Sequence, residues 1–195
     1  MVKFLRRSTG DTREAAFPFL EELEISLSRT DEPPEAGALA REILDKIQIL
    51  QNRAKKIRLI RAAARLETDW AALLLVGLLG DPIEEIRGLA VRELIARDDC
   101  PMEEVCERLT RPPWFAKSAA LQILAAKKSP GTARFIRAVI EDSSADVRRS
   151  AASALGEIGG AEARALLVSL GKDASPYVRA AAQAALEKIC DFKFT

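Results

Sequence analysis

A basic run between residues 53 and 65 is the first candidate for binding chemistry. It contains no acidic residue, and its cations are Arg53, Lys55, Lys56, Arg58, Arg61 and Arg65. At 100° per residue, Arg58, Arg61 and Arg65 share one helical face, with Lys55 nearby. Such a face could bind an acidic protein segment or phosphate groups. A solvated helix face is the commonest explanation of a charge run, so the sequence leaves these alternatives open.

An aromatic and cationic turn is the second candidate. Arg111, Pro112, Pro113, Trp114 and Phe115 follow one another in a chain with only two tryptophans. Trp and Arg are favoured at the hot spots of protein interfaces, which indicates an exposed patch. Large aromatic side chains are more often associated with the core, so packing of both rings onto the adjacent part of the fold is the alternative.

Catalysis and metal binding are not expected. The 195 residues include no His, the commonest metal ligand and the usual general base at neutral pH. Cys100, Cys106 and Cys190 form no C-x-x-C pair, and the phosphate-loop, nucleophile-elbow and zinc-protease motifs do not occur. We therefore predict no catalytic residue, no metal site and no cofactor, in a protein that is not an enzyme. The net charge of +1 gives no global attraction to nucleic acid or membrane.

These candidate residues lie in a chain with an internal repeat. The segment LLVSLGKDASPYVRAAAQAALEKI, from Leu166, aligns without a gap with FIRAVIEDSSADVRRSAASALGEI, from Phe135. Steps of 31 and 30 residues lead back from Arg148 to Lys117 and Arg87, so four units are in phase. The segment RAKKIRLIRAAARL resembles a fifth, degenerate unit whose register is ambiguous.

Each unit carries the pattern of two helices joined by a tight turn. Proline, serine and aspartate in the links suit the first turn of a helix, and Gly159-Gly160 suits the end of a hairpin. In the last unit the apolar residues fall at i, i+4, i+7, i+8 and i+11, which is the stripe of one helix. These residues are Val178, Ala182, Ala185, Leu186 and Ile189.

Acidic and basic columns run through the same units. The columns consist of Asp81, Asp142 and Asp173, each followed six residues later by Arg87, Arg148 and Arg179. We expect them to form ion pairs within or between units that stabilise the repeat, and not to perform chemistry. The third unit has Arg111 and Lys117 in these columns, so two like charges should repel there unless a carboxylate from elsewhere joins them.

Units of about 30 residues with the pattern D-x(5)-[VI]-R-x(2)-A-A-x-A-L resemble the HEAT repeat, in particular the short bacterial form called the PBS-lyase HEAT-like repeat. The resemblance covers residues 68–190 well and residues 34–67 loosely. It implies an all-α fold, a right-handed α-solenoid (an armadillo-like superhelix) of about five helical hairpins. In such solenoids the second helices line the concave surface.

The predicted organisation has two parts. Residues 1–33 do not follow the repeat, and we predict a tail and a short amphipathic helix that caps the first unit. Residues 34–195 form the repeat domain, with units at 34–67, 68–98, 99–128, 129–159 and 160–190. The start of the sequence lacks the apolar region of a secretory signal, and no stretch is long enough to span a membrane. We therefore predict a cytoplasmic protein.

The sequence thus predicts a non-catalytic scaffold or adaptor that binds another protein on its concave surface. The predicted contact residues are Lys56, Arg58, Arg61, Arg65, Trp114, Phe115 and Tyr177. Nucleic-acid binding through the basic first-repeat helix is an alternative, although acidic residues on later second helices interrupt the patch, so nucleic acid is not the expected partner. A phycobilin-lyase-like or chaperone-like activity is a third hypothesis, and it comes only from the name of the resembled repeat.

Overall fold

A computed structural model describes residues 36–50, 52–66, 68–128 and 131–191. Every regular element in these ranges is helical, which confirms the predicted all-α class. The tail and capping helix predicted for residues 1–33 lie outside the described residues. The chain divides into two compact units, residues 1–101 and residues 102–195. We call them the N-terminal and C-terminal units and describe each by itself.

The described residues of the N-terminal unit form two stacked helical hairpins. Its helices are α1 (Ala36–Ile49), α2 (Arg53–Ala64), α3 (Asp69–Leu78) and α4 (Glu84–Ala96). The first helices of the two hairpins, α1 and α3, pack against each other, and so do the second helices, α2 and α4. The fully buried side chains between them are large aliphatic ones, such as Ile43, Leu74 and Leu75. Their burial supplies the main driving force for stacking the hairpins.

The C-terminal unit contains three hairpins. Its helices are α5 (Met102–Glu107), α6 (Trp114–Lys127), α7 (Ala133–Ile136), α8 (Ala145–Ile158), α9 (Gly160–Leu170) and α10 (Pro176–Asp191). The short helices α5 and α7 continue as 3₁₀ turns, Arg108–Thr110 and Arg137–Val139. The second helices α6, α8 and α10 form a layer in which α8 packs against both of the others.

A column of alanines lies on the buried side of the second helices in both units. The column consists of Ala90, Ala120, Ala151 and Ala182, at steps of 30, 31 and 31 residues, and all four side chains are fully buried. Helices α8 and α10 approach closely at Gly156, where an added Cβ would lie 2.7 Å from the Cβ of Ala185. The apolar stripe predicted for the last unit is buried at Val178, Ala182 and Ala185.

Three of the links between helices share one hydrogen-bonded arrangement. In the last link, Asp173 Oδ1 accepts a hydrogen bond of 2.8 Å from the Ser175 N–H. Arg179 Nη1 donates to the carbonyl oxygens of Asp173 and Ala174, at 2.8 and 2.9 Å. The same contacts recur in the links that begin at Asp81 and Asp142. The aspartates and arginines of the columns therefore hold the shape of these three links through hydrogen bonds to the backbone, a contact that the predicted ion pairs did not include.

Each aspartate of the column also pairs with a cation that precedes it in the chain by the same interval. The pairs are Lys56–Asp81 at 3.0 Å, Lys117–Asp142 at 2.6 Å and Arg148–Asp173 at 2.7 Å. The repulsion considered for the third unit is therefore avoided, because Asp142 supplies the carboxylate that Lys117 needs. Arg111 pairs with Glu107, four residues earlier, at 2.9 Å. Because Lys56 stands one repeat before Arg87, its pairing also fixes the register of the first unit.

Arg97 fastens the two hairpins of the N-terminal unit to each other, which sequence reasoning did not anticipate. Its side chain follows α4, is only 8% exposed, and donates to the carbonyl oxygens of Ala64 and Leu66, at 3.3 and 2.8 Å. The Ala64 carbonyl ends α2 and the Leu66 carbonyl follows two residues later, so no further helical N–H reaches either of them. Asp99 holds the guanidinium in place with two hydrogen bonds of 2.7 and 2.8 Å.

Candidate partner-binding surface

The buried stripe of each second helix leaves the opposite side exposed. In α10, Tyr177, Ala180, Ala184 and Lys188 are exposed, and their spacing of three or four residues places them on one side of the helix. We call the exposed side of the second helices the second-helix face. In the N-terminal unit it belongs to α2 and α4, and in the C-terminal unit to α6, α8 and α10.

The second-helix face of the N-terminal unit is basic. Arg58 and Arg61 are exposed on α2, and Arg65 is exposed directly after its last residue. Helix α4 packs against α2 and adds Arg92, which is exposed and stands one repeat after Arg61. Arg92 was missed as a candidate, although counting one repeat forward from Arg61 would have found it.

Lys56 does not belong to this face, and its assignment as a contact residue is corrected. Its side chain is 6% exposed and that of Asp81 1% exposed, with Lys56 Nζ 3.0 Å from Asp81 Oδ2. The angle at this contact is poor for a hydrogen bond, so we describe it as an ion pair. A buried and paired ammonium cannot reach a partner, so Lys56 serves the fold.

The aromatic turn presents one ring to the surface. Trp114, the first residue of α6, is 50% exposed, whereas Trp70 is 3% exposed and fills the core of the N-terminal unit. The rings of Trp114 and Phe115 meet edge to face, with centroids 5.8 Å apart, and Phe115 is partly exposed. The half-exposed indole favours the patch over complete packing into the core.

Cations accompany this turn. Burial is the main reason that the pKa of Arg108 lies below its ordinary value, and the charge of Arg111 lowers it further. Arg111 is exposed and paired with Glu107. Two arginines therefore precede Trp114 closely in the chain, and one of them, Arg111, is paired with a carboxylate.

Tyr177 lies apart from the two other aromatic candidates. It is 77% exposed at the start of α10, and α8 packs between α6 and α10. The structure thus brings Trp114 and Phe115 together and leaves Tyr177 on another helix of the layer. The residue one repeat before Tyr177 is Asp146 at the start of α8, and it pairs with Arg149 at 3.4 Å.

A shallow groove of about 270 Å³ runs between α6 and α8 on the second-helix face. Its lining is mostly small or polar: Leu121, Gln122, Ala125, Arg149, Ser150, Ser153, Ala154 and Glu157. Small side chains allow the backbone of a bound segment to come close to the helices. The groove is thus shaped for a peptide segment and not for the enclosure of a small molecule.

The carboxylates of the links are not poised for acid catalysis. Burial alone would raise the pKa of Asp142, but hydrogen bonds from Lys117 and the Ser144 N–H hold that pKa below its ordinary value. The hydrogen bond from Arg148 lowers the pKa of Asp173 in the same way. A general acid at neutral pH needs a raised pKa, so these groups belong to the fold. In the described ranges no group of three or more Cys, Asp or Glu side chains could hold a metal ion.

Residues 102–187 match the family model for HEAT repeats. These residues therefore consist of HEAT repeats. HEAT repeats generally act as protein-interaction scaffolds, and the family is typically non-catalytic. The narrower resemblance to the bacterial PBS-lyase form stays a prediction.

Two further comparisons add little to this assignment. An engineered protein of known crystal structure is 21% identical, covering 97% of this chain and 95% of its own, with a TM-score of 0.40. That score is too low to carry an argument. Among curated proteins, no significant match to the chain was found. No described helix is long and apolar enough to cross a membrane.

Proposed function

We propose that the protein is a non-catalytic scaffold that binds an acidic segment of another protein on the second-helix face of its N-terminal unit. The observation that carries this proposal is the exposure of Arg58, Arg61, Arg65 and Arg92 on two helices that pack together. Glu85, an acidic residue at the start of α4, is already paired with Arg53. Arg65 lines a groove together with Glu93, Asp98 and Asp99, so Arg61 and Arg92 offer the positive charge that a partner's carboxylates can neutralise.

The strength of such binding depends on how many contacts act together. One exposed ion pair contributes only about 0.2–1 kcal/mol, so a partner must engage several of the arginines at once. A helix or an extended segment laid along the helices satisfies this condition because its side chains recur at regular intervals. Trp114, Phe115 and Tyr177 are proposed as apolar contacts in the C-terminal unit, since partly desolvated aromatic rings often dominate interface energies.

Affinity capture from a native lysate tests the proposal. The bait is the full chain, either wild type or with Arg61→Glu and Arg65→Glu. Both residues are exposed, so the double substitution should leave the melting temperature unchanged. We expect the variant to lose the specific partners that the wild type recovers, and those partners to carry acidic segments.

A matched control separates this effect from a general change of charge. Lys172 and Arg134 are exposed in the C-terminal unit, and Lys172→Glu with Arg134→Glu changes the net charge equally. This control should recover the same partners as the wild type. Identical recovery by all three baits would show that the basic face of the N-terminal unit is not the binding surface.

Nucleic acid is a second candidate ligand for the same face, because Arg92 widens the basic surface beyond a single helix. Phosphate binding through several arginines would depend steeply on salt. Titration of labelled 20-mer duplex and single strands at about 50 and 200 mM salt distinguishes the two ligands. Absence of binding at low salt excludes nucleic acid, whereas a steep salt dependence that Arg61→Glu and Arg65→Glu abolish would favour it over a protein partner.

A further inference from the structure

A second candidate binding site lies at the Gly159–Gly160 link of the C-terminal unit, beside the end of the second-helix face. A groove of about 790 Å³ opens between the end of α8, the Gly159–Gly160 link and the exposed side of α9. The apolar residues Ile158, Ala165, Val168 and Ile189 are part of its lining. Val168 is 51% exposed, so its side chain is accessible to a ligand in the groove.

The link itself keeps the groove open. Gly159 and Gly160 have φ values of 69° and 87°, a backbone conformation that glycine adopts without strain. A Cβ added at either position would meet no atom within 4 Å, so both face open space. The absence of two side chains at this point gives a ligand access to Ile158 and Ile189 behind them.

Comparison with the preceding repeat shows that the apolar character is specific to this unit. Counting back one repeat, Ala165 and Val168 take the places of Arg134 and Arg137. Arg134 stacks over a Phe135 ring at 4.7 Å, and Arg137 pairs with a glutamate of α9 at 3.4 Å. The last repeat therefore has two uncharged side chains at positions where the repeat before it has two arginines.

The rim of the groove is positively charged. Glu157 is the acidic residue of the lining, and it lies 2.5 Å from Lys188 Nζ and 3.7 Å from Lys128 Nζ. Two ammonium groups thus surround one carboxylate. Arg164, exposed on α9, adds a third cation to the same rim. The net charge of these four groups is +2, from three cations and one carboxylate.

We propose that this groove binds a short segment of another protein that carries large apolar side chains flanked by carboxylates. The volume is sufficient for two or three such side chains, within the usual range of ligand sites. The apolar floor requires an apolar ligand, and the cationic rim selects acidic neighbours over basic ones. This site is independent of the basic face of the N-terminal unit, which offers no apolar floor.

Fluorescence anisotropy with three labelled hexapeptides tests the site. The acidic apolar probe is Glu-Leu-Glu-Leu-Phe-Glu, the basic probe replaces each Glu with Lys, and the polar probe replaces Leu and Phe with Ser. We expect the full chain to bind the acidic apolar probe at least tenfold more tightly than either of the others. Equal binding of the three probes would overturn the proposal.

Two matched substitutions locate the binding. Val168→Asp places a carboxylate on the groove floor and should lower the affinity for the acidic apolar probe at least tenfold. Ser169→Asp changes the neighbouring exposed residue, which does not line the groove, and should leave binding within twofold. Circular dichroism of both variants verifies that they are folded. An unchanged affinity in the folded Val168→Asp variant would overturn the proposal.

Other occupants give distinct results. If deletion of residues 192–195 raises the probe affinity tenfold, the groove belongs to this chain's own C-terminal segment and the proposed partner is wrong. If the chain is a dimer by light scattering that Val168→Asp converts to a monomer, a second copy is the occupant and the proposal is again wrong. Arg61→Glu with Arg65→Glu should leave probe binding within twofold, so this proposal can fail without affecting the proposed function.

Discussion

The ion pairs of the two units share one spacing and differ in burial. In the N-terminal unit the side chains of Lys56 and Asp81 are 6% and 1% exposed, whereas those of Arg148 and Asp173 in the C-terminal unit are 16% and 8% exposed. Each aspartate also accepts the N–H of the residue two positions later. The same pattern therefore builds the same link, and the neighbouring helices decide how far water reaches the charges.

The difference in burial changes what each pair contributes. A charge that loses its partner inside a protein retains a desolvation cost of several kcal/mol, whereas water and salt compensate a partly exposed charge. The pair of the N-terminal unit should thus be far less tolerant of substitution. A lysine that looks like part of a binding surface in the sequence is, for this reason, a structural residue in the fold.

The alanine column is the feature that the two units share most closely, and breaking it should have the largest effect. Ala182 is fully buried between second helices, so Ala182→Asp would bury a carboxylate with no partner and should cost more than about 4 kcal/mol. Ala184→Asp, two residues later on the exposed side of α10, serves as control and should cost less than about 1 kcal/mol. Equal melting temperatures for the two variants would contradict the register of the repeat.

Removing one aspartate from each unit tests the comparison itself. Asp81→Ala should reduce the free energy of unfolding by about 3–5 kcal/mol, because it leaves the Lys56 ammonium buried without a partner. Asp173→Ala removes the equivalent carboxylate but leaves Arg148 with access to water. It should therefore reduce the free energy of unfolding by only about 1–2 kcal/mol. Urea denaturation of both variants measures the difference. Equal losses would mean that burial does not distinguish the pairs.

Replacing a glycine with alanine should change the stability in opposite directions in two of the second helices. Gly156→Ala in α8 would bring a Cβ within 3.1 Å of the Ala185 Cα, which is backbone and cannot move aside, so we expect a loss of about 1–3 kcal/mol. Gly88→Ala in α4 meets nothing closer than 3.8 Å and should stabilise by about 0.5–1 kcal/mol through helix propensity. The melting temperatures of the two variants show whether each substitution stabilises or destabilises the protein. Stabilisation by both substitutions would show that α8 and α10 are not in close contact.

Acid should weaken the C-terminal unit through its aspartates, with the smallest effect of this series. The pKa values of Asp142 and Asp173 are lowered in the folded protein, whereas an unfolded aspartate has a pKa of about 3.9. The contribution of these groups is therefore fully present above about pH 4 and is lost as the pH falls through their folded pKa values. The stability of an Asp173→Asn variant should fall less steeply below pH 4 than that of the wild type. If the stabilities of the two proteins fall equally steeply with pH, the ion pair between Arg148 and Asp173 is contradicted.

The sequence predicted the helices and their phase well because several columns repeat at a nearly fixed step. The buried alanines and the Asp–Arg links occur where counting forward or back by one repeat places them. The exposed arginines of α2 were also found from their spacing, since the helical period fixes which of them share a side.

What the sequence did not predict depends on contacts between helices. Lys56 lies in a basic run whose register was ambiguous in the sequence, although counting one repeat back from Arg87 places it in the basic column; its burial depends on the packing around Asp81. Arg97 satisfies carbonyl groups of the preceding hairpin, a separation along the chain at which no local pattern operates. The exposure of Trp114 likewise depends on the surroundings of the link, because an aromatic residue suits both core and surface.

The central claim is that the cations paired with link aspartates, such as Lys56, maintain the fold, while the exposed arginines of the N-terminal unit bind a partner. Melting and lysate capture of two variants, Lys56→Met and Arg61→Glu with Arg65→Glu, test it most directly. We expect Lys56→Met to lower the melting temperature strongly, and the double variant to melt like the wild type while losing its acidic partners. A double variant that captures the same partners, or a Lys56→Met variant that melts like the wild type, would contradict the account.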